Sequence, residues 1–450
     1  MSMPSTTSCS RRSPGPRGLA IAPTLVDFVR GPIPMLRGLQ RRYGEAVRFR
    51  FAGSAFWLFS DPALIEEVML RKAECFIKDE LTHELDELLG QGLLTSEGEL
   101  WRHQRRLAAP TLKRRHIQGY ADAMVGFTRA MIARWGERVD LDFHRESMEL
   151  TLRIVVKTLF NLEMDHEIER IDRAFGDAMD AFHQRAHTPW RFVMDYVDPP
   201  LTSLNKSAVR TLNEVIGALI RERQQEKEQG DDLLWRLIVA RDEEGRAMDD
   251  QQLRDEALTI FLAGHETTAL AITYALYLLA NHPGAQQRVH DELDAFGDEF
   301  GSDAVARLPY LKAVANEALR LYPPAWIVGR EAARDVQIGP WKLKKGEQVV
   351  ASPLMMHRHP AYFEEPDRFV PSRWAGDLEK RLPRFVYFPF GGGPRICIGN
   401  HFAMMELVLV LAVILRAYRV EDLSETRQRL APSVTLRPKG EVPLRFVRRG

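Results

Sequence analysis

Between about residues 33 and 61 apolar positions tend to recur every second residue: AVRFRF, then AFWLF, parted by Gly53-Ser54. That period predicts a short β-hairpin. From Pro62 to about Asp294 the spacing is mostly helical, with breaks at Asp198-Pro199-Pro200, Gln229-Gly230-Asp231 and His282-Pro283-Gly284. Strand-like runs return between 323 and 353 (VQIG, WKLK, QVVAS), and SVTLRPKGEVPLRFV predicts a terminal hairpin. The expected organisation is a mainly α chain: a disordered leader over residues 1–20, then a single domain over 21–450. Its helical part covers about 62–322 and 398–418. Its smaller β-rich part is built from about 33–61, 323–353 and 432–448. The polar run Arg221–Asp232 reads as a solvated helix end and loop.

The run Ala257–Ala280 is long enough to span a bilayer, but His265, Glu266, Thr267 and Thr268 sit at its centre. An acidic residue there costs about 2.5–3.5 kcal/mol. A buried helix through a large core, with a polar notch, is the better reading. Phe402–Leu415 is too short to span and reads as a second buried helix. No membrane anchor is expected.

Composition narrows the function classes. Of 450 residues, 45% are hydrophobic and 28% charged, so a large core can be buried. Lys+Arg and Asp+Glu are both 62, which argues against a nucleic-acid-coating protein. Three cysteines (Cys9, Cys75, Cys397) are too few and scattered for a disulfide framework, a zinc module or an iron–sulfur cluster. A reducing, cytoplasmic location and a monomer are expected.

The chemistry concentrates in FPFGGGPRICIG, Phe388–Gly399, which is followed by an apolar helix. A glycine-rich loop allows close backbone approach. It delivers Cys397 just before a helix N-terminus, where unpaired N–H groups favour a thiolate. Arg395 places a cation two residues away. On the loop alone three readings stay open: an axial thiolate for haem iron, a phosphate cradle without the P-loop Lys-Ser/Thr, and a thiol nucleophile paired with His401.

Phe390, Gly393, Arg395, Cys397 and Gly399 match F-x-x-G-x-R-x-C-x-G, and by this the chain resembles the cytochrome P450 superfamily. Glu317-Ala-Leu-Arg320 resembles its E-x-x-R helix, Pro366-Asp-Arg368-Phe369 its P-E-R-F segment, and Ala263-Gly264-His265-Glu266-Thr267-Thr268 its oxygen-activating motif. Trp101 to Arg105 resembles its W-x-x-x-R. The likeness runs from about Tyr43 onward and implies haem b held by Cys397, with Phe390, Gly391, Ala263 and Gly264 beside it. It assigns Trp101, Arg105, Arg330 and Arg395 to the propionates. It makes Glu317, Arg320 and Arg368 a structural lock, and Thr267 and Glu266 the dioxygen- and proton-handling pair.

The resemblance further implies a monooxygenase inserting one atom of dioxygen into a lipophilic small molecule: a fatty acid, terpenoid, steroid or polyketide. Leu93, Leu94, Phe182, Trp190, Phe261, Ala325, Trp326, Ile327 and Val434 are the pocket candidates. NAD(P)H-derived electrons would come through a reductase and a separate ferredoxin or flavodoxin. The basic segment Arg102, Arg105, Arg106, Lys113, Arg114, Arg115 offers a docking patch. A peroxide-driven peroxygenase and a haem-based sensor are the alternatives. The Glu266-Thr267 pair argues against the first.

Overall fold

Asp249 closes the entrance to the longest helix. Its carboxylate accepts from Gln252 N at 2.8 Å, and the Gln252 side chain returns the bond to Asp249 N, a reciprocal cap. The run predicted to be a buried helix accordingly forms inside Asp250–Ala280. A computed structural model describes residues 13–51, 53–162, 170–171, 173–174, 176–178, 201–225, 230 and 232–450. The pocket candidates Phe182 and Trp190 lie outside the described residues.

The longer helices are α1 (Ala22–Val29), α2 (Pro32–Tyr43), α3 (Gly98–Thr111), α4 (Ala121–Ala133), α5 (Phe143–Phe160), α6 (Leu201–Gln225), α7 (Asp250–Ala280), α8 (Pro283–Phe296), α9 (Pro309–Leu321) and α10 (Asn400–Ala417). α7 runs through the core against α5, α6, α9 and α10, and α10 also packs on α4. α10 alone among the described residues is long and apolar enough to cross a membrane, and most of it is buried in the protein.

Among the described residues there are twelve strands: β1 (Ala46–Phe51), β2 (Ser54–Phe59), β3 (Phe76–Ile77), β4 (Arg138–Asp142), β5 (Val328–Ala332), β6 (Val336–Ile338), β7 (Trp341–Leu343), β8 (Gln348–Ala351), β9 (Tyr418–Asp422), β10 (Leu430–Pro432), β11 (Leu436–Pro438) and β12 (Pro443–Arg448). The largest sheet has the order β1-β2-β8-β5-β3, with β2 and β8 parallel. The expected hairpin forms as β1–β2, with buried Val47 opposite buried Leu58.

Two sequence expectations need correction. Residues 32–43 form a helix, not strand: Pro32 suits a first helical position, and Met35, Leu36 and Leu39 bury one helical face. The C-terminal segment is not one hairpin. β11 pairs with β10, while β12 crosses to pair with β4 and β9. Long-range pairing of this kind leaves no local signal.

Candidate active site

α9 and the loop beyond it brace the Cys397 region. Glu317 and Arg320 are fully buried and doubly bonded, Nε to Oε2 at 2.8 Å and a terminal nitrogen to Oε1 at 2.9 Å. Arg320 also donates to the carbonyls of His357, Pro366 and Arg368. Glu317 accepts further from Val370 N at 2.9 Å, Arg373 Nε at 3.0 Å and Trp374 Nε1 at 2.9 Å. A fully desolvated carboxylate needs this many donors. Arg368 is not the locking side chain: its guanidinium is exposed on Glu365, and only its carbonyl joins the lock. The sequence carries Pro-x-Arg-aromatic twice, at 366–369 and 371–374, and the second copy, Pro371-Ser-Arg373-Trp374, supplies the bonds to Glu317.

His357 connects the lock to the cysteine loop. Its Nε2 accepts from Phe388 N at 2.9 Å, where the glycine-rich segment begins. Burial, then the neighbouring Arg320, pushes its pKa down to about 3, so it stays neutral and able to accept. Cys397 N is fixed by Phe390 O at 2.9 Å. Gly391 and Gly393 have φ of +70° and +67°. A Cβ on Gly393 would lie 1.9 Å from the Met69 carbonyl, so only glycine lets the loop seat against residues 67–71.

Cys397 is solvent-accessible although protein surrounds it closely. Burial raises the thiol pKa; the Gly399 N–H and the Arg105 guanidinium oppose that and favour the thiolate. Arg105, from α3, is itself lowered by burial and raised by Cys397. Arg395 lies 4.0 Å over the Trp101 ring, donates to Ser96 O at 2.8 Å and pairs with Glu97. Gln104 ties this loop down, accepting from Ser96 Oγ and donating to Gln91 O, both at 2.6 Å. Arg330, on β5, is buried nearby, held at 2.6 Å to Gly329 O.

Lys78 completes the group, and nothing in its sequence setting marks it. Its pKa is pushed down to about 7 by burial and then by Arg330 and Arg395, against the pull of Asp79 and Glu97. Arg395 is lowered to about 10, burial again first. Among the described residues Lys78 and Arg330 therefore interact with two carboxylates, Asp79 and Glu97, and Arg395 with Glu97, while Arg105 faces the Cys397 sulfur.

The α7 notch lies among otherwise buried turns. Ala263 is exposed, and Ile260, Gly264 and Thr267 are partly so. Thr267 Oγ1 donates to Ala263 O at 2.6 Å, which leaves its oxygen as an acceptor. Glu266 is turned into protein, where Thr435 Oγ1 donates to it at 2.6 Å and Arg437 pairs with it. The hairpin β10–β11 brings these partners, anchored by Tyr274 OH to Leu436 O at 2.9 Å.

Of the apolar pocket candidates, Leu93, Leu94, Ile327 and Val434 are partly buried and Ala325 is exposed. Leu436 N bonds Pro324 O, drawing the Val434 turn onto residues 324–327. Phe261 and Trp326 are core side chains instead. Phe261 is fully buried beside His265, away from the Ala263–Thr267 stripe, and the Trp326 indole donates to Ser433 O at 2.8 Å.

Residues 14–444 match the family model described as Cytochrome P450. The chain belongs to the cytochrome P450 family. It is 33% identical over 437 residues to "Cyclooctatin synthase" of Streptomyces melanosporofaciens, covering 95% of this chain and 94% of that one. "Cyclooctat-9-en-7-ol 5-monooxygenase" of the same organism is 32% identical, covering 88% and 87%, and "Pentalenene oxygenase" of Streptomyces avermitilis is 30% identical, covering 88% of each. Among solved structures it resembles the "cytochrome P450DA heme domain" with a TM-score of 0.86 at 26% identity, covering 97% of this chain and 98% of that one. The fold is that of a P450, and the chain is an oxidoreductase of the monooxygenase type that uses haem iron and dioxygen.

The residues of this P450 fit that cofactor. The accessible sulfur has a donor N–H and a guanidinium favouring its charged form. Beside it, four cationic side chains repel one another for want of anions, a deficit that two propionates would relieve.

Proposed function

We propose that this P450 oxygenates a lipophilic cyclic terpenoid, with NAD(P)H-derived electrons delivered by a separate ferredoxin or flavodoxin and its reductase. The names of its relatives support the substrate class: one carries an unsaturated cyclic alcohol and another a hydrocarbon. Partly buried Leu93, Leu94, Ile327 and Val434, with Ala325, supply an apolar lining suited to such a ligand. The observation that carries the reading is the accessible Cys397 thiol, set beside surplus positive charge in a chain whose central helix opens at Ala263.

In this reading Cys397 would hold the haem iron, its backbone fixed to Phe390 O and its thiolate favoured by the Gly399 N–H. Gly391 shapes the loop. Trp101, Arg105, Arg330, Arg395 and Lys78 hold the propionates. Ala263 and Gly264 leave space beside α7. Haem ligated by a thiolate supplies cleavage of the O–O bond and transfer of one oxygen atom to the substrate. Thr267, its own proton committed to Ala263 O, accepts a hydrogen bond from a protonated group in the notch. Glu266, held by Thr435 and Arg437, moves protons by leaving that pair for the notch side.

The test is a panel of cyclic terpenoids screened for the Soret spin-state shift, followed by turnover with a ferredoxin, its reductase and NAD(P)H. Thr267→Ala is expected to keep haem and substrate binding while product formed per NAD(P)H falls steeply, since positioned proton transfer is typically worth about 10²–10⁴ in rate. Equal coupling in parent and variant would remove Thr267 from this role. Absence of any terpenoid shift would remove the substrate class.

A further inference from the structure

The α7 stripe that opens at Thr267, Ala263 and Ile260 continues toward the helix N-terminus to Glu256. The positions i, i+4, i+7 and i+11 lie within about 60° of one another around a helix of 3.6 residues per turn. Side chains on a helix lean toward its N-terminus, so Ile260 covers the turn that ends at Glu256. The stripe is therefore open in the middle and ends on a carboxyl group.

Glu256 is fully buried. Leu93 N donates to its Oε2 at 3.2 Å, while Oε1 has no partner among the described residues. Thr259, one turn further on, is also buried with its hydroxyl unpartnered. That hydroxyl presses on the same loop: a Cβ on Gly92 would lie 2.1 Å from Thr259 Oγ1. Two buried, unsatisfied polar groups thus sit one helical turn apart beneath the Gly92–Leu93 segment. An orphaned buried polar group costs about 1–3 kcal/mol, so a chain that keeps two together requires a reason.

We infer that Glu256, assisted by Thr259, anchors an oxygen-bearing group of the substrate at the far end of the cleft from Thr267. The inference rests on the terpenoid reading above and deepens it: the preferred substrate already carries a hydroxyl or carbonyl, and oxygenation at the Thr267 end is a later step on an oxygenated skeleton. The proton chemistry agrees. Burial raises the Glu256 pKa to about 8, with Asp255 adding to the rise and the Leu93 N–H opposing it. The group is therefore largely neutral at pH 7. Because Oε2 is the acceptor of the Leu93 bond, the proton sits on Oε1, the atom without a partner. Oε1–H donates to the ligand oxygen, and Thr259 can donate to or accept from the same group. Along the axis Glu256 lies about 10 Å from Ala263 and about 16 Å from Thr267, which sets the anchor and the oxidised carbon at opposite ends of a ligand.

The experiment titrates the haem-loaded protein with a cyclic terpene hydrocarbon and a series of its mono-alcohols, reading Kd from the Soret shift. Parent protein is expected to bind at least one mono-alcohol about 5–30-fold more tightly than the hydrocarbon. Glu256→Gln should keep that preference, since the amide still accepts from Leu93 N and still offers an N–H. Glu256→Met also loses the bond to Leu93 N, so hydrocarbon affinity can fall, but the ratio of alcohol to hydrocarbon affinity should drop to about one. In infrared difference spectra, alcohol binding should shift a carboxylic C=O band that is missing in Glu256→Gln. Three results would overturn the anchor alone: no mono-alcohol preferred by the parent, hydrocarbon and alcohol weakened equally in Glu256→Met, or no carboxylic band shift. If neither hydrocarbon nor alcohol perturbs the spectrum, the terpenoid reading fails, and the anchor fails with it.

Discussion

Removing Arg373 and removing Arg368 should have opposite consequences, although both lie in Pro-x-Arg-aromatic tetrads five residues apart. Arg373 is 12% accessible, and its Nε lies 3.0 Å from an oxygen of Glu317, which is fully buried. Arg373→Met deletes one charge-assisted bond to that carboxylate and a second, at 3.1 Å, to Glu364 O. Breaking a buried ion pair costs about 3–5 kcal/mol, and hydrogen bonds to charged groups about 1.5–3. Arg320, Val370 N and Trp374 still hold Glu317, so the lower part of that span, about 2–4 kcal/mol, is expected. With an unfolding entropy of about 2.1 cal/mol/K per residue over 450 residues, this is a fall in Tm of about 2–4 °C. Arg368→Ala removes an exposed pair with Glu365 and should leave Tm within error. The assay is thermal unfolding of the haem-loaded variants, followed in parallel by circular dichroism and by loss of the Soret band. The lock holds the cysteine loop through His357 and Phe388 N, so the Arg373 variant should also lose the Soret band earlier than its helical signal. Equal Tm losses in the two variants, or a larger one for Arg368→Ala, would refute this assignment.

Two further outcomes concern the cofactor site. Lys78 in the protein without haem titrates near 7, below its unfolded value of about 10.4. Between those values the unfolded chain holds more protons, so this group makes the haem-free fold more stable as pH rises from 7 toward 10. A propionate beside it raises the folded value, so haem binding takes up a proton and haem affinity should fall as pH climbs from 7 to 9. Lys78→Met should flatten that slope in a haem-transfer titration to apomyoglobin; a persisting slope would exclude Lys78. Gly393→Ala adds a methyl 1.9 Å from the Met69 carbonyl at a residue with φ of +67°, where L side chains cost about 1–2 kcal/mol before any clash. The variant should show native far-ultraviolet dichroism and little bound haem, and normal haem content would show that the loop can move aside.

How much of this was legible in the sequence varied with the reach of each interaction. The cysteine loop was readable because Phe390, Gly393, Arg395, Cys397 and Gly399 act within ten residues of one another, and the structure gives Gly393 the left-handed conformation its position requires. Glu317 and Arg320 were readable because one helical turn joins them. Their third partner was not: two similar tetrads stand side by side, and only the turn at Glu365, with φ of +44°, accompanies an outward Arg368 and an inward Arg373. Lys78 carries no local signal because its cationic neighbours come from β5 and the cysteine loop, roughly 250–320 residues away along the chain. Helix α2 differs from the strand expectation because the true strands that follow it, β1 and β2, dominate the alternation of the 33–61 window. The spacing Met35, Leu36, Leu39 was helical throughout.

The sheet β4-β12-β9 places its latest-made member in the centre. On the ribosome, β4 emerges some 300 residues before β12 can reach it, which at about 5–20 residues per second is about 15–60 s of waiting. For that interval Arg138–Asp142 is an unpaired ribbon edge, and the charges along it (Arg138, Asp140, Asp142) ward off other nascent chains until its own partner arrives.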